Sequence, residues 1–131
     1  MRMKAVWIGQ VAVTAFFAIA FLQSAVDKWV NSKGNIDFFG GHFATSPLRA
    51  LVVPMFWSIT VLESVAGILS GLGALVVLFG GGVGLALWGM VFVLLSLLCL
   101  FFGQRLAQDY PGAAVIASYF AVALVGLLLL G

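Results

Sequence analysis

Apolar residues run in four long blocks, broken by three polar or glycine-rich segments. Crossing about 30 Å of hydrocarbon takes roughly 20 helical residues at about 1.5 Å each. On that measure the first block, about Ala5 to Trp29, is a span that ends where Asp27, Lys28, Asn31, Ser32, Lys33 and Gly34 turn polar. The second runs from about Pro47 to Leu72, the third from about Leu85 to Phe102, and the fourth from Pro111 to about Leu130. Ser46 as a cap and Pro47 at the first helical position mark the start of the second span. Pro54 within it is expected to kink the helix. Segment 31–46 is the long connection. Its Phe38, Phe39 and Phe43 are too apolar for a free loop and are expected on the bundle end or in the lipid interface. "LFGGGVG", Leu78 to Gly84, reads as a tight link, and "GQRLAQDYPG" closes the third span. Short links between successive spans give antiparallel neighbours. The expected architecture is all-α: an integral membrane antiparallel four-helix bundle, one domain over residues 1–131.

Composition fits that pattern. Of 131 residues 64% are hydrophobic and 8% charged, and the mean hydropathy is +1.25, which is the profile of a protein whose outer surface faces lipid. "MRMK" ahead of an apolar run also has the form of a signal peptide, with Ala18 to Ala20 as a small-residue cleavage site; we read it as the flank of the first span. The net charge is +2 and the six basic residues are scattered, so no nucleic-acid-binding face is expected. Cys99 is the only cysteine, which excludes an intrachain disulfide and any Cys-x-x-Cys motif. Lying among leucines, it reads as a small packing residue. One histidine, His42, cannot by itself build a metal site. No intrinsic metal or cofactor is therefore expected; redox chemistry would need a bound organic cofactor such as a quinone, or a partner subunit.

Helices in lipid gain little from hydrophobicity, so small residues mark their contact faces. Thr60, Ser64, Gly67 and Gly71 line one stripe of the second span. On the third, Gly82, Gly89, Ser96 and Gly103 recur every seven residues, and Ala114, Ser118 and Ala121 repeat on the fourth.

The polar residues form two groups. At about 100° per residue, Gln10, Thr14, Phe17, Phe21, Ser24 and Lys28 share one face of the first span, while Gln23 and Asp27 point elsewhere. Glu63 sits four residues before Gly67, so it faces helices and not lipid. With Arg49 as the mark of the polar interface, Glu63 lies about 21 Å deeper by helical rise. The same depth on the first span falls at Thr14, so Thr14 or Gln10 is expected beside Glu63 more readily than Lys28. Such a carboxyl either ties helices together by hydrogen bonds or binds a proton, a quinol hydroxyl or a cationic group. The second group is "QRLAQD": Arg105 and Asp109 are spaced as an i,i+4 pair. The segment reads either as an interfacial helix end or, together with Gln23, Asp27, Lys28, Gln104 and Tyr110, and with His42 from the connection, as the lining of a polar mouth for a headgroup.

"FLQSAVDKW" resembles the F-x-x-S-G-x-x-K signature of the DoxX-like membrane proteins, and "LESVAGILSGLG" resembles their E-x-x-G-G-x-x-x-x-x-G segment. Lys28, Glu63, Gly67 and Gly73 fit it, whereas Ala25 and Ala66 replace glycines common there. The tail "FFGQRLAQDYPGAA" is similar to some family members, and the resemblance covers nearly the whole chain. It implies a four-helix bundle in the bacterial inner membrane. It also implies an accessory role in a quinone-linked membrane oxidoreductase or respiratory complex, with Lys28 and Glu63 as the family's polar positions and no catalytic role attached. The alternative is a non-enzymatic scaffold or assembly factor, packing on a partner membrane protein or a second copy.

Orientation signals conflict. Lys28, Lys33, Arg49 and Arg105 on one side outnumber Arg2 and Lys4 on the other, which favours a cytoplasmic long connection. The first span often dominates insertion, however, and its basic flank together with the family resemblance favours both termini in the cytoplasm.

Overall fold

The computed structural model describes the backbone of residues 2–131 and the side chains from Lys4 onward; Met1 and the side chains of Arg2 and Met3, part of the basic flank, lie outside the described residues. The described chain folds into α1 (Arg2–Val30), α2 (Ser32–His42), a 3-10 turn (Arg49–Leu51), α3 (Val52–Leu78), α4 (Gly84–Leu106) and α5 (Tyr110–Leu130), with no strand among the described residues. Four of the five α-helices, all but α2, are long and apolar enough to span a membrane, α3 together with the 3-10 turn before it. The protein is an all-α, multi-pass membrane bundle. Helix α3 packs between α1 and α4, and α5 closes against α4 and α1. Phe17, Phe21, Met90, Val93, Leu97 and Ala123 fill the centre.

Small residues set how the helices register. Gly67 meets Leu22, where a Cβ would come within 3.0 Å of the Leu22 backbone nitrogen, and Gly71 faces Ala18. On the other side of α3, Gly73 abuts Ala86 and Gly89 abuts Ser70. The Thr60–Gly71 stripe thus meets α1, and the α4 positions Gly89 and Ser96 are buried. Gly82 lies in the link and not on a helix, and Gly103 faces Phe43. On α5 the expected face is wrong: Ala114, Ser118 and Ala121 are exposed, and Ala113, Ala123 and Gly126 are buried instead. Two equivalent small-residue stripes run along α5, and the bulkier neighbours Ile116 and Phe120 pack into the core with the second.

Three further expectations change. Segment 31–46 is not a loop, since α2 occupies residues 32–42. Pro54 falls not within a running helix but in the first turn of α3, which begins only at Val52, so its missing N–H has no helical partner to lose and the reason to expect a kink falls away. Ser46 Oγ accepts from Leu48 N at 3.2 Å, which caps the entry turn and not α3 itself. The second span is also longer than expected, ending at Leu78.

That extra length matters for depth. Arg49 to Leu78 is 30 residues, about 45 Å of helix against about 30 Å of hydrocarbon. Continuing the Gly67–Leu22 alignment eight residues brings the end of α1, Val30, beside Ile59. The first two turns of α3 therefore run on past α1, and α2 covers them, with Phe39 edge-on to Phe56 at 5.8 Å. Trp29 and Trp57 meet at 5.5 Å at this level. Trp7, at the other end of α1, donates to Val77 O at 2.9 Å. Trp7 and Trp29 are separated by about 33 Å of helical rise, the spacing of two aromatic belts across one bilayer.

Both tight links end their helices in the same way. After α3, Gly81 N bonds Val76 O at 2.7 Å and Gly80 N bonds Val77 O at 3.1 Å. After α4, Asp109 N bonds Gln104 O at 2.9 Å and Gln108 N bonds Arg105 O at 3.2 Å. These are Schellman pairs, whose pivot takes a left-handed backbone. Gly80 supplies it freely at φ 86, but Gln108 adopts it at φ 61. Gln108→Gly should raise stability by about 1 kcal/mol, read as a higher unfolding midpoint in detergent; a lower midpoint would show that the glutamine side chain contributes more than the strain removes.

Candidate functional site

Two polar sites emerge, on opposite sides of α3. Between α1 and α3, Lys28 Nζ lies 3.1 Å from Glu63 Oε2. Ser24 Oγ donates to the same oxygen at 2.8 Å and accepts from Lys28 Nζ at 2.7 Å. Lys28 and Glu63 are both buried. A lysine near a helix end usually extends to the interface; this one folds back a full turn to reach Ser24 and Glu63. The adjoining residue Trp29 ties the same two helices, its indole N–H donating to Ser64 Oγ at 2.9 Å.

Thr14 and Gln10 are elsewhere. Thr14 Oγ1 donates to Gln10 O at 2.7 Å, and Gln10 Nε2 donates to Leu129 O at 2.9 Å, tying α1 to the end of α5. The expected Glu63–Thr14 proximity fails because Arg49 is a poor depth mark. The 3-10 turn and the first two turns of α3 stand beyond the end of α1, so counting from Arg49 carries Glu63 too deep. By the observed alignment Glu63 faces Val26, midway between Ser24 and Lys28 and about one turn inside the Trp29 level.

The second site is a cleft of about 500 Å³ between α2, the first half of α3 and the last half of α4. Phe39, Phe43, Met55, Ile59, Leu62 and Leu100 form its apolar length, and His42, Gln104 and Asp109 gather along its wall. His42 Nε2 is 3.6 Å from Asp109 Oδ2, within ion-pair range but too long for a hydrogen bond. Phe38 stacks on the imidazole at 5.7 Å and Phe43 meets it edge-on at 5.0 Å. Asp109 follows directly on the Gln108 pivot and caps α5 through Gly112 N at 3.1 Å. A Cβ on Gly112 would collide with the Asp109 carboxylate and with Gln104 Nε2 at 2.8 Å, so glycine there lets both side chains converge on the first turn of α5. Gln104 Oε1 is buried with no hydrogen-bond partner.

The expected mouth is thus divided. His42, Gln104 and Asp109 join the cleft. Gln23 and Asp27 are exposed on α1, where Asn35 Nδ2 donates to Asp27 Oδ2 at 3.1 Å. The Arg105–Asp109 pair does not form, since Arg105 stacks on the Tyr110 ring at 4.7 Å while Asp109 turns to His42. Cys99 is exposed on the cleft wall and not packed in the core. The cleft does not follow from a connection without a helix over 31–46; its signal in the residue pattern is the Phe39, Phe43 spacing, which puts two aromatics on adjoining positions of one helical face. Among the described residues no group of three or more His, Cys, Asp or Glu side chains is placed to hold a metal ion.

Compared with known proteins, the chain matches no family model, no curated protein and no solved structure.

Proposed function

We propose that this chain is a DoxX-like accessory subunit of a quinone-linked membrane oxidoreductase, and that it holds a membrane amphiphile, a quinone or a lipid, in the α2–α3–α4 cleft. The observation that supports this most is the shape of the cleft. Its volume is in the range of small-molecule sites, its length is apolar, and its polar side chains come from residues adjoining in space. By the aromatic-belt level it lies where a leaflet's headgroups meet its acyl chains, so a ligand reaches it sideways from the bilayer. The redox centre belongs to a partner, and this chain positions the amphiphile. In the same reading the membrane is the bacterial inner membrane, with both termini in the cytoplasm and the cleft in the outer leaflet. The basic flank of the first span and the resemblance support that orientation against a basic count that, even without the Glu63-paired Lys28, stands at Lys33, Arg49 and Arg105 against Arg2 and Lys4.

Mild-detergent purification from the native membrane, followed by mass spectrometry of bound proteins and lipids, tests it. A redox protein together with a quinone or lipid is expected; the chain alone, with neither, would sink the proposal. A scaffold role is the second reading, supported by the exposed Ala114–Ser118–Ala121 stripe on α5, which offers a close-packing surface to a partner helix. The α4 stripe does not support it, since Gly89 and Ser96 are already used inside the bundle.

A further inference from the structure

We infer that the cleft selects amphiphiles whose head is a hydroxyl donor, an alcohol or a phenol, over those with an anionic phosphate head; this rests on the cleft being an amphiphile site. The polar wall is rich in acceptors. Asp109 Oδ2 is an acceptor whose nearest basic partner, His42 Nε2, stands 3.6 Å away. Asp109 Oδ1 is already engaged by Gly112 N. Gln104 lines the same wall, and its Oε1 is closed off from water without a partner. Its amide nitrogen lies with the Asp109 carboxylate over Gly112, which is the sensible arrangement of donor beside acceptor and leaves the carbonyl oxygen as the free group.

A buried carbonyl without a donor is destabilising, and a donor arriving in the cleft relieves it once the Gln104 side chain, which lines the cleft, turns its amide oxygen out of its present cover. An anionic head does the reverse, because it brings further acceptors against a carboxylate and a carbonyl. Neither Lys nor Arg lines the cleft to offset that repulsion, and His42, the basic side chain on its wall, already faces Asp109 Oδ2 at 3.6 Å. Lys28 is committed to Glu63, and Arg105 to the Tyr110 ring. A hydroxyl head on an apolar body therefore matches the site in both polarity and hydrogen-bond sense, so of a quinone pair the cleft takes the reduced quinol and not the acceptor-only quinone, and of lipids a neutral one with a free hydroxyl.

The test uses three probes that share one chain: 4-dodecylphenol, its methyl ether 4-dodecylanisole, and dodecyl phosphate. Each is titrated into the purified protein and retention is read by native mass spectrometry. The phenol is expected to be retained about tenfold better than the ether, the scale of one net hydrogen bond, and the phosphate least. Gln104→Leu should bring the phenol down to the level of the ether without weakening the ether. Equal retention of phenol and ether by the unaltered protein would overturn the donor selectivity while leaving the amphiphile site standing. Preferential retention of the phosphate would overturn it as well. Retention of none of the three would overturn the amphiphile site and this inference with it.

Discussion

Lys28→Met should destabilise the bundle by about 3 kcal/mol or more, the usual result of stripping a buried charge of its partner. Glu63 would keep only the Ser24 hydroxyl, at 2.8 Å, and its short side chain, held midway along a helix, cannot reach water. Glu63→Leu should cost less, because the four-carbon stem of Lys28 lets its ammonium swing outward past Trp29 to the interface. The double variant Lys28→Met with Glu63→Leu should recover most of the loss, since two well-packed apolar side chains replace a pair whose desolvation offsets much of its attraction. Unfolding midpoints of all four proteins in one detergent decide the matter. Additive losses in the double variant would mean that the two residues do not act as a pair.

The second large effect is at the α3–α4 contact. In Gly73→Ala the new Cβ would lie 2.5 Å from both the nitrogen and the Cα of Ala86, and in Gly89→Ala 2.8 Å from the Ser70 nitrogen. Backbone cannot yield as a side-chain tip can, so the helices must separate, and each change should cost about 1–3 kcal/mol. Gly71→Ala and Gly103→Ala are the controls. Their nearest neighbours are side-chain atoms at 3.7 Å and 3.4 Å, and both should leave the unfolding midpoint almost unmoved. Equal sensitivity at Gly71 and Gly73 would contradict the observed helix register.

These contacts show what the residue pattern could and could not reveal. The four spans follow from apolar length alone, and the glycine link after α3 follows from the need for a left-handed pivot at Gly80. The buried face of α1, with Thr14, Phe17, Phe21 and Lys28, follows from helical periodicity. What periodicity lacks is the axial offset between helices. That offset comes from which glycine meets which side chain, Gly67 on Leu22 and Gly73 on Ala86, and without it the residue pattern pairs Glu63 with Thr14 instead of Ser24 and Lys28. Helix α2 escaped for another reason: its Gly34, Gly40 and Gly41 read as breakers, yet Phe39 and Phe43 hold it against α3 and α4 by packing. The Gln108 pivot left no trace in the residue pattern, because nothing about a glutamine signals φ 61.

The resulting picture has a closed side and an open side. Lys28, Ser24 and Glu63 lock α1 to α3, while α2 stands off the opposite flank and leaves the cleft. Native mass spectrometry of the protein released from native-membrane nanodiscs, without detergent, tests the open side most directly. The account predicts one retained amphiphile per chain in the unaltered protein, and loss of that mass in Ser58→Trp, which places an indole in the cleft that Ser58 lines. A bare chain in the unaltered protein, or the same retained mass in Ser58→Trp, would contradict it.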